Sequence, residues 1–412
     1  MNVKNDSLLR IRLFEAYYRA RQGKRNTRNQ LKFEIDFEHN LLQLAKEIEQ
    51  RRYEPKPCIA FIVNKPVKRE IFAADFRDRV VHHLLHGCIN HIVEGKLIHD
   101  TYSCRKGKGT LYGIKRIDRF IRSCSRNYQR DAHILKLDVS GYFRNMNHEM
   151  LWHKVQRILS GRSTCYGGLP REVVDYLLHQ VIFTRVTENC RIKCSRAQWH
   201  GLPKSKSQFY ADVACGLPIG NLTSQLFGNI FLNDFDQFVK HKLGMKYYGR
   251  YVDDMVFVHH SREYLRTVIA NVRKELASIG LEVHPGKIYL QHYTKGVLFL
   301  GHFIKPYRKY ISRRTKNNFF QAIAEINTLL DTEKRIEGQV ISQIRTKMNS
   351  YLGILGQANS YKLIVKSRKR LCPQFFFFFS FNATHTKVIP NIRNLLWHYT
   401  QPCLSIKSLM TC

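Results

Sequence analysis

Two strand-like runs, 246–252 and 255–259, flank a single pair of acids, Asp253-Asp254. Such a pattern predicts a β-hairpin with both carboxylates at its tip. A third acid, Asp138, closes the apolar run Ile134-Leu135-Lys136-Leu137, which reads as a strand over 133–139. The chain has 32 Asp and Glu against 68 Lys and Arg, a formal net charge of +36 over 412 residues. Clustered carboxylates repel and raise one another's pKa unless a cation neutralises them. Mg²⁺ does this with hard oxygen ligands, and two ions about 4 Å apart can activate a hydroxyl and stabilise a leaving phosphate. An Asp-Asp pair alone is also an ordinary hairpin turn, so the flanking residues must decide.

The basic excess is too large for an ordinary surface and points to a polyanion. It is spread over Arg10–Arg28, Lys65–Arg79, Arg105–Arg130, Lys204–Lys206 and Lys362–Arg370. A membrane anchor would gather it on one amphipathic helix, whereas a long nucleic acid touches many surfaces. With 44% hydrophobic residues and 12% aromatics the chain can build a sizeable core, and its length allows two or three modules. No apolar run reaches the length of a membrane span, and Met1-Asn2-Val3-Lys4-Asn5-Asp6 is no signal peptide, so the expected location is the cytoplasm with no membrane partner. Eleven cysteines without framework spacing read as free thiols.

Residues 1–50 read as helical with a basic break at Gly23-Lys24-Arg25, and short strands follow at 58–63 and 70–73, joined by a turn beginning at Lys65-Pro66. Arg77 to Ile92 is helical, and a helix begins near Asn147. Thr223 or Ser224 is placed to cap a long helix ending near Leu243. A helix over 262–279 stops at Gly280; strands at 281–290 and 296–304 follow, then basic helices over 311–371. Phe375 to Phe379 with Phe381 form an apolar cluster that must be buried or paired.

Tyr251-Val252-Asp253-Asp254 together with Leu137-Asp138-Val139-Ser140-Gly141-Tyr142-Phe143 resembles the paired palm motifs of reverse transcriptases. Lys68-Arg69-Glu70 and Asp75-Phe76-Arg77-Asp78-Arg79 resemble the fingers, and Ser103-Cys104-Arg105-Lys106-Gly107-Lys108-Gly109 the basic loop along the template. Gly280 to Lys287 resembles the palm segment that ends in the family's lysine, and Phe299-Leu300-Gly301-His302 the primer grip. In Leu217-Pro218-Ile219-Gly220-Asn221-Leu222-Thr223-Ser224-Gln225, Ile219 stands where most of the family has Gln and Gln225 where most has Pro. This variant, with Trp199 to Ser207, is similar to the reverse transcriptases of diversity-generating retroelements.

The resemblance implies an α+β, right-hand polymerase fold with fingers, a palm built on an antiparallel sheet, and a helical thumb. The expected limits are a basic helical extension over 1–57, fingers over 58–132, and palm over 133–310 with a finger-type insertion around 160–212. The thumb takes 311–371 and a tail 372–412. The resemblance also implies that Asp138 and Asp253 ligate two Mg²⁺ ions, replaceable by Mn²⁺, that Asp254 supports one, and that the Val139 carbonyl adds a ligand. Lys68 and Arg69 are expected to hold the triphosphate, where charge develops on the leaving group. Phe143 matches the steric gate that selects dNTPs and reads equally as a core aromatic. Ile219, Gly220 and Gln225 are expected beside the nascent base pair, where an apolar Ile loosens the constraint on templating. Lys287 reads as a proton donor or phosphate contact, or as a surface lysine. Arg105, Lys106, Lys108 and Gly301 are expected along template and primer.

The function implied is RNA-directed DNA synthesis: a template-repeat RNA is copied into cDNA with errors at adenines, in a bacterial or phage-infected cell, with a small basic oligomeric accessory variability protein as partner. Other readings are a retron or group II intron-like reverse transcriptase, against which Ile219 and Gln225 argue, and a non-catalytic RNA-binding scaffold, against which the three intact acids argue. The chain after the thumb is too short for a nuclease or RNase H domain. His148, Glu149 and His153 lack the spacing of a zinc helix and read as structural. His82, His83 and His86 read as a buried or RNA-facing helix. Cys190 and Cys194 lack a second pair for zinc. The segment Arg10–Arg28 with Tyr17 and Tyr18 reads as an RNA contact.

Overall fold

The computed structural model describes residues 3–23, 27–64, 67–161, 164–332 and 336–400. The Lys65-Pro66 turn, Lys24-Arg25 of the basic break and the end of the tail from 401 lie outside them.

Strand alternation builds the sheet that matters most. In the strand His133–Ser140, Leu135, Leu137 and Val139 enter the core, while Lys136 and Asp138 share the opposite face. The sheet runs in the order Tyr289–His292, His133–Ser140, Asp254–His259, Tyr247–Tyr251, and Glu282–Val283 also pairs with His133–Ser140. The acid hairpin is antiparallel, with Tyr247 opposite Val258 and Tyr251 opposite Asp254. Its turn is therefore Val252-Asp253, and Asp254 opens the second strand rather than sitting at the tip.

The chain divides into two compact units, residues 1–113 with 135–290, and 114–134 with 291–412. In the first, the helices Val3–Arg21, Phe37–Glu49 and Phe76–Lys96 bury Leu13, Leu41, Leu44, Val80 and Leu84 in one core with Leu135, Leu137, Phe227 and Phe231. Asp75 caps the helix Phe76–Lys96 by accepting from the Arg77 amide at 3.0 Å. A second sheet orders Arg69–Ala73, Cys58–Val63 and Cys190–Ile192, the last pair parallel. In the other unit, the helices Arg313–Thr332, Gly338–Leu355 and Tyr361–Arg368 enclose a separate core that takes in Phe375, Phe378 and Phe379. The phenylalanine run forms the short helix Pro373–Phe378 and the strand Phe379–Phe381, so most of its apolar bulk is spent on folding.

The long helix expected to Leu243 is three pieces, Leu222–Phe231, Asn233–Gln237 and a π-turn Phe238–Lys242. Asn221, not Thr223 or Ser224, takes the cap position. Thr223 is buried within the first turn, its hydroxyl 2.8 Å from His82 Nδ1. The strands expected over 281–290 and 296–304 are each broken in two, by the 3₁₀ turn Pro285–Lys287 and the turn at Leu300-Gly301. No helix among the described residues is long and apolar enough to cross a membrane.

Candidate active site

Local pairing brings the three acids together. The Val139 amide donates to the Asp253 carbonyl at 3.3 Å, and the Asp138 carbonyl accepts from the His284 amide at 2.8 Å. Val139 lies opposite Val283, and the turn Pro285–Lys287 then swings Lys287 back so that its Nζ is 2.8 Å from Asp138 Oδ1. Lys136 Nζ lies 3.0 Å from Asp254 Oδ1, an ion pair without hydrogen-bond geometry, since that buried oxygen accepts no hydrogen bond. Val252, a β-branched residue, sits at φ 55 in the turn, a strained conformation typical of functional loops.

Burial, then the neighbouring Asp138 and Asp254, push the Asp253 carboxyl up to about 6. Asp254 is also raised by burial, against the opposing pull of Lys136. Asp138 and Asp254 each have a lysine beside them, whereas Asp253 is buried between two like charges, and the hard oxygens of the three suit a divalent cation such as Mg²⁺. Among the described residues no three His, Cys, Asp or Glu side chains converge into a ready-made cage.

The turn is anchored from beneath by two residues that sequence reasoning missed. Arg250 and Asp236 pair without solvent exposure, Tyr248 donates to Asp236 at 2.7 Å, and Arg250 Nη1 donates to the Val252 carbonyl at 2.9 Å. Burial pulls the guanidinium pKa down, and the Asp236 carboxylate outweighs this to hold it above its ordinary value. The signal was an arginine at an inward-facing position of a strand, which only a buried acid can satisfy.

The other expected residues fall in several settings. Phe143 is half-buried, packed on Tyr142 with ring centroids 5.1 Å apart, and a Cβ on Gly228 would lie 3.3 Å from its ring. The Leu217 amide donates to the Phe143 carbonyl at 2.7 Å, which ties the loop 217–221 to the segment after Asp138. The Ile219 carbonyl accepts from the Phe72 amide at 3.3 Å, and the Asn221 side chain from the Ala74 amide at 3.3 Å. Gly220 has φ 124, and a Cβ there would lie 3.2 Å from Ile71 Cγ2. Ile219 is half-buried and Gln225 exposed on the first turn of its helix. Arg69 is exposed on the same strand as Phe72; Lys68 precedes it, its ammonium donating to the His200 carbonyl at 2.6 Å.

Arg105 has partners of its own within the fold. Its guanidinium donates to Glu94 at 2.7 Å and to the Ile98 carbonyl at 2.7 Å, so it braces its loop instead of facing solvent. Lys106 is exposed, and Lys108 donates to the His99 carbonyl. Gly301, at φ 78, forms a turn in the other unit, its carbonyl accepting from Ser312 at 2.9 Å. In the fingers-like motif, Arg77 and Asp78 are buried, and Asp78, pushed up to about 6 by burial, accepts from Tyr53 at 3.0 Å. His148 is buried with Nε2 2.8 Å from the Gly216 carbonyl, and burial pulls His82 down to about 3, both structural roles. In the basic N-terminal helix, Arg10, Arg12 and Arg21 pair with Glu49, Glu15 and Glu34.

A model of the reverse transcriptase (RNA-dependent DNA polymerase) family matches residues 64–304, more than half of the chain and all three acids. The chain belongs to the reverse transcriptase family. Its mixed helical and antiparallel-sheet architecture is the α+β, right-hand polymerase class expected from the sequence. No curated protein matches it. Among solved structures, apo telomerase from Candida tropicalis truncated from its C-terminal domain is similar at 12% identity and TM-score 0.45, covering 65% of this chain and 59% of that one. Telomerase from Candida albicans in complex with a TWJ fragment of telomeric RNA is similar at 12% identity and TM-score 0.43, covering 83% and 64%. This reverse transcriptase thus spans about 60% of the length of those telomerase chains.

Proposed function

We propose that the chain is an RNA-directed DNA polymerase that copies a template-repeat RNA into cDNA with adenine-directed errors, diversifying a target gene. The observation that carries the polymerase reading is the meeting of Asp138 and Asp254 on adjacent strands with Asp253 in the turn beside them, all within the family match. Asp138 and Asp253 would hold two Mg²⁺ ions, or Mn²⁺ in their place, with the Val139 carbonyl as a further ligand. When bound, these ions would lower the pKa of the primer 3′-hydroxyl and offset the negative charge on the leaving pyrophosphate. Asp254 has its own counter-charge in Lys136, which suits a supporting role.

Lys68 and Arg69, on the fingers, bind the triphosphate. Lys287, its side chain 43% exposed beside Asp138, gives a proton or a contact to phosphate at Nζ. Phe143 lies under the sugar and excludes a 2′-hydroxyl. Lys106 and Lys108 follow the template, and Gly301 the primer. The domain limits proposed are those drawn from the sequence, and the cytoplasm, an RNA template and an oligomeric accessory protein complete the setting.

The adenine-directed reading rests on Ile219 and Gln225. Ile219 stands in the loop docked through its own carbonyl on the strand beside Arg69, so its side chain replaces a hydrogen-bonding Gln close to the nucleotide site. Primer extension on an RNA template with Mg²⁺ tests the first claim: dNTP incorporation is expected from the wild type and none from Asp253→Ala. Sequencing of the cDNA tests the second. Errors concentrated opposite adenine are expected, and errors spread evenly over four template bases overturn the subgroup while leaving the polymerase.

A further inference from the structure

Glu70 is 3% exposed, on the strand Arg69–Ala73, and its carboxylate faces no basic side chain in any ion pair among the described residues. Instead it accepts three neutral hydrogen bonds from one distant segment. Trp199 Nε1 donates to Oε1 at 2.6 Å, the Ser207 hydroxyl to Oε1 at 2.9 Å, and the Gln208 amide to Oε2 at 2.6 Å. That segment has no regular ladder of its own. It consists of three short 3₁₀ turns, Arg196–Trp199, Lys204–Lys206 and Gln208–Tyr210. A buried carboxylate is costly to leave unpaired, and so are the buried Ser207 and Gln208 donors, so each fixes the other's place, with the half-buried Trp199 as a third donor.

Beyond the clamp, the segment reaches the gate loop. A Cβ on Gly141, at φ 55, would lie 3.2 Å from the Ser205 carbonyl, so the two backbones are in close approach. Arg144 donates to the Tyr210 carbonyl, and Gln208 Nε2 to the Leu217 carbonyl at 2.9 Å. Leu217 in turn holds Phe143 by its amide. The segment therefore contacts the Phe143 loop on both sides of the ring-bearing residue.

The geometry points to Glu70 as a positioning residue that, through segment 199–208, sets how closely Phe143 approaches the sugar of the incoming nucleotide. This rests on the polymerase reading and on Phe143 as the gate. Glu70 touches no substrate; it acts through Trp199, Ser207 and Gln208. Releasing the clamp lets the Gly141–Phe143 loop relax, so discrimination between dNTP and rNTP falls more than turnover does.

The test is single-nucleotide primer extension by the full chain, giving kcat/KM for a dNTP and the matching rNTP. Their ratio does not depend on the fraction of folded enzyme. Glu70→Gln, which turns an acceptor toward the Gln208 amide into a donor, is expected to lower the ratio roughly 3- to 10-fold. Trp199→Phe and Ser207→Ala, each removing one donor, are expected to lower it in the same direction by less. Phe143→Val calibrates the assay. Unchanged ratios in Glu70→Gln and Trp199→Phe, with Phe143→Val responding, overturn the role of Glu70. No response from Phe143→Val removes the gate, and no incorporation by wild type removes the polymerase reading itself. If Glu70→Gln fails to fold, the Trp199→Phe and Ser207→Ala ratios decide.

Discussion

Arg250 and Asp236 form a solvent-free ion pair whose other end holds the Val252-Asp253 turn: Nε and Nη2 reach both Asp236 oxygens at 2.6–3.1 Å, and Nη1 donates to the Val252 carbonyl. Asp253 follows Val252 directly, so a link made in the core fixes an acid at the surface of the sheet. Val252 at φ 55 needs such a restraint, because a β-branched residue does not rest there unaided.

Arg250→Met is expected to cost about 3–5 kcal/mol in urea unfolding, since Asp236 is left buried and unpaired. Arg250→Met with Asp236→Asn should recover much of that stability while primer extension stays low, because the Val252 carbonyl still lacks its donor. Full extension by the double variant would separate the pair from the active site.

Asp253 ties stability to pH. Burial and the two neighbouring acids hold its carboxyl at about 6, above the ordinary aspartate value, so the folded state favours the proton. The contribution is present at low pH and is lost as pH rises through about 6. Asp253→Asn should therefore raise Tm at neutral pH, by about 1–3 kcal/mol of stability, and abolish extension. Mg²⁺ should raise the Tm of wild type by binding the folded state, and do so far less in the variant. A wild-type Tm indifferent to Mg²⁺ counts against the metal site.

Gly220→Ala is expected to disturb the nucleotide loop. The backbone at φ 124 disfavours any Cβ, and Ile71 and the Phe72 carbonyl stand 3.2 and 3.7 Å from it. A loss of about 1–3 kcal/mol with a rise in KM for dNTP is expected. Steady-state extension at varied dNTP measures it.

RNA binding should weaken steeply with salt if the +36 charge is spread along a long structured RNA. A filter-binding series in KCl gives the slope of log affinity against log salt. A shallow slope would mean that much of the charge touches no phosphate.

The acid hairpin, the Asp138 strand and the helix capped by Asn147 were legible because alternation and capping are local signals; Asn147 does accept from the Met150 amide at 2.9 Å. The break of the expected 223–243 helix was not, because its apolar spacing continues through Leu232 and the π-turn without a Gly or Pro to mark it. The partners of Arg105 were hidden for a related reason: a guanidinium in a basic loop looks free until Glu94 and two carbonyls are folded around it.

Sequence alone determined the chemistry available here: three acids at strand ends, a gate-sized aromatic after the first, and a basic excess suited to nucleic acid. Tertiary structure decided which charges those acids meet. Lys287 reaches Asp138 only because Val283 pairs with Val139, Lys136 reaches Asp254 across the sheet, and Arg250, Asp236 and Glu70 find their partners far along the chain. Such pairings leave no period in the sequence, since they are set by which strands meet and in what register.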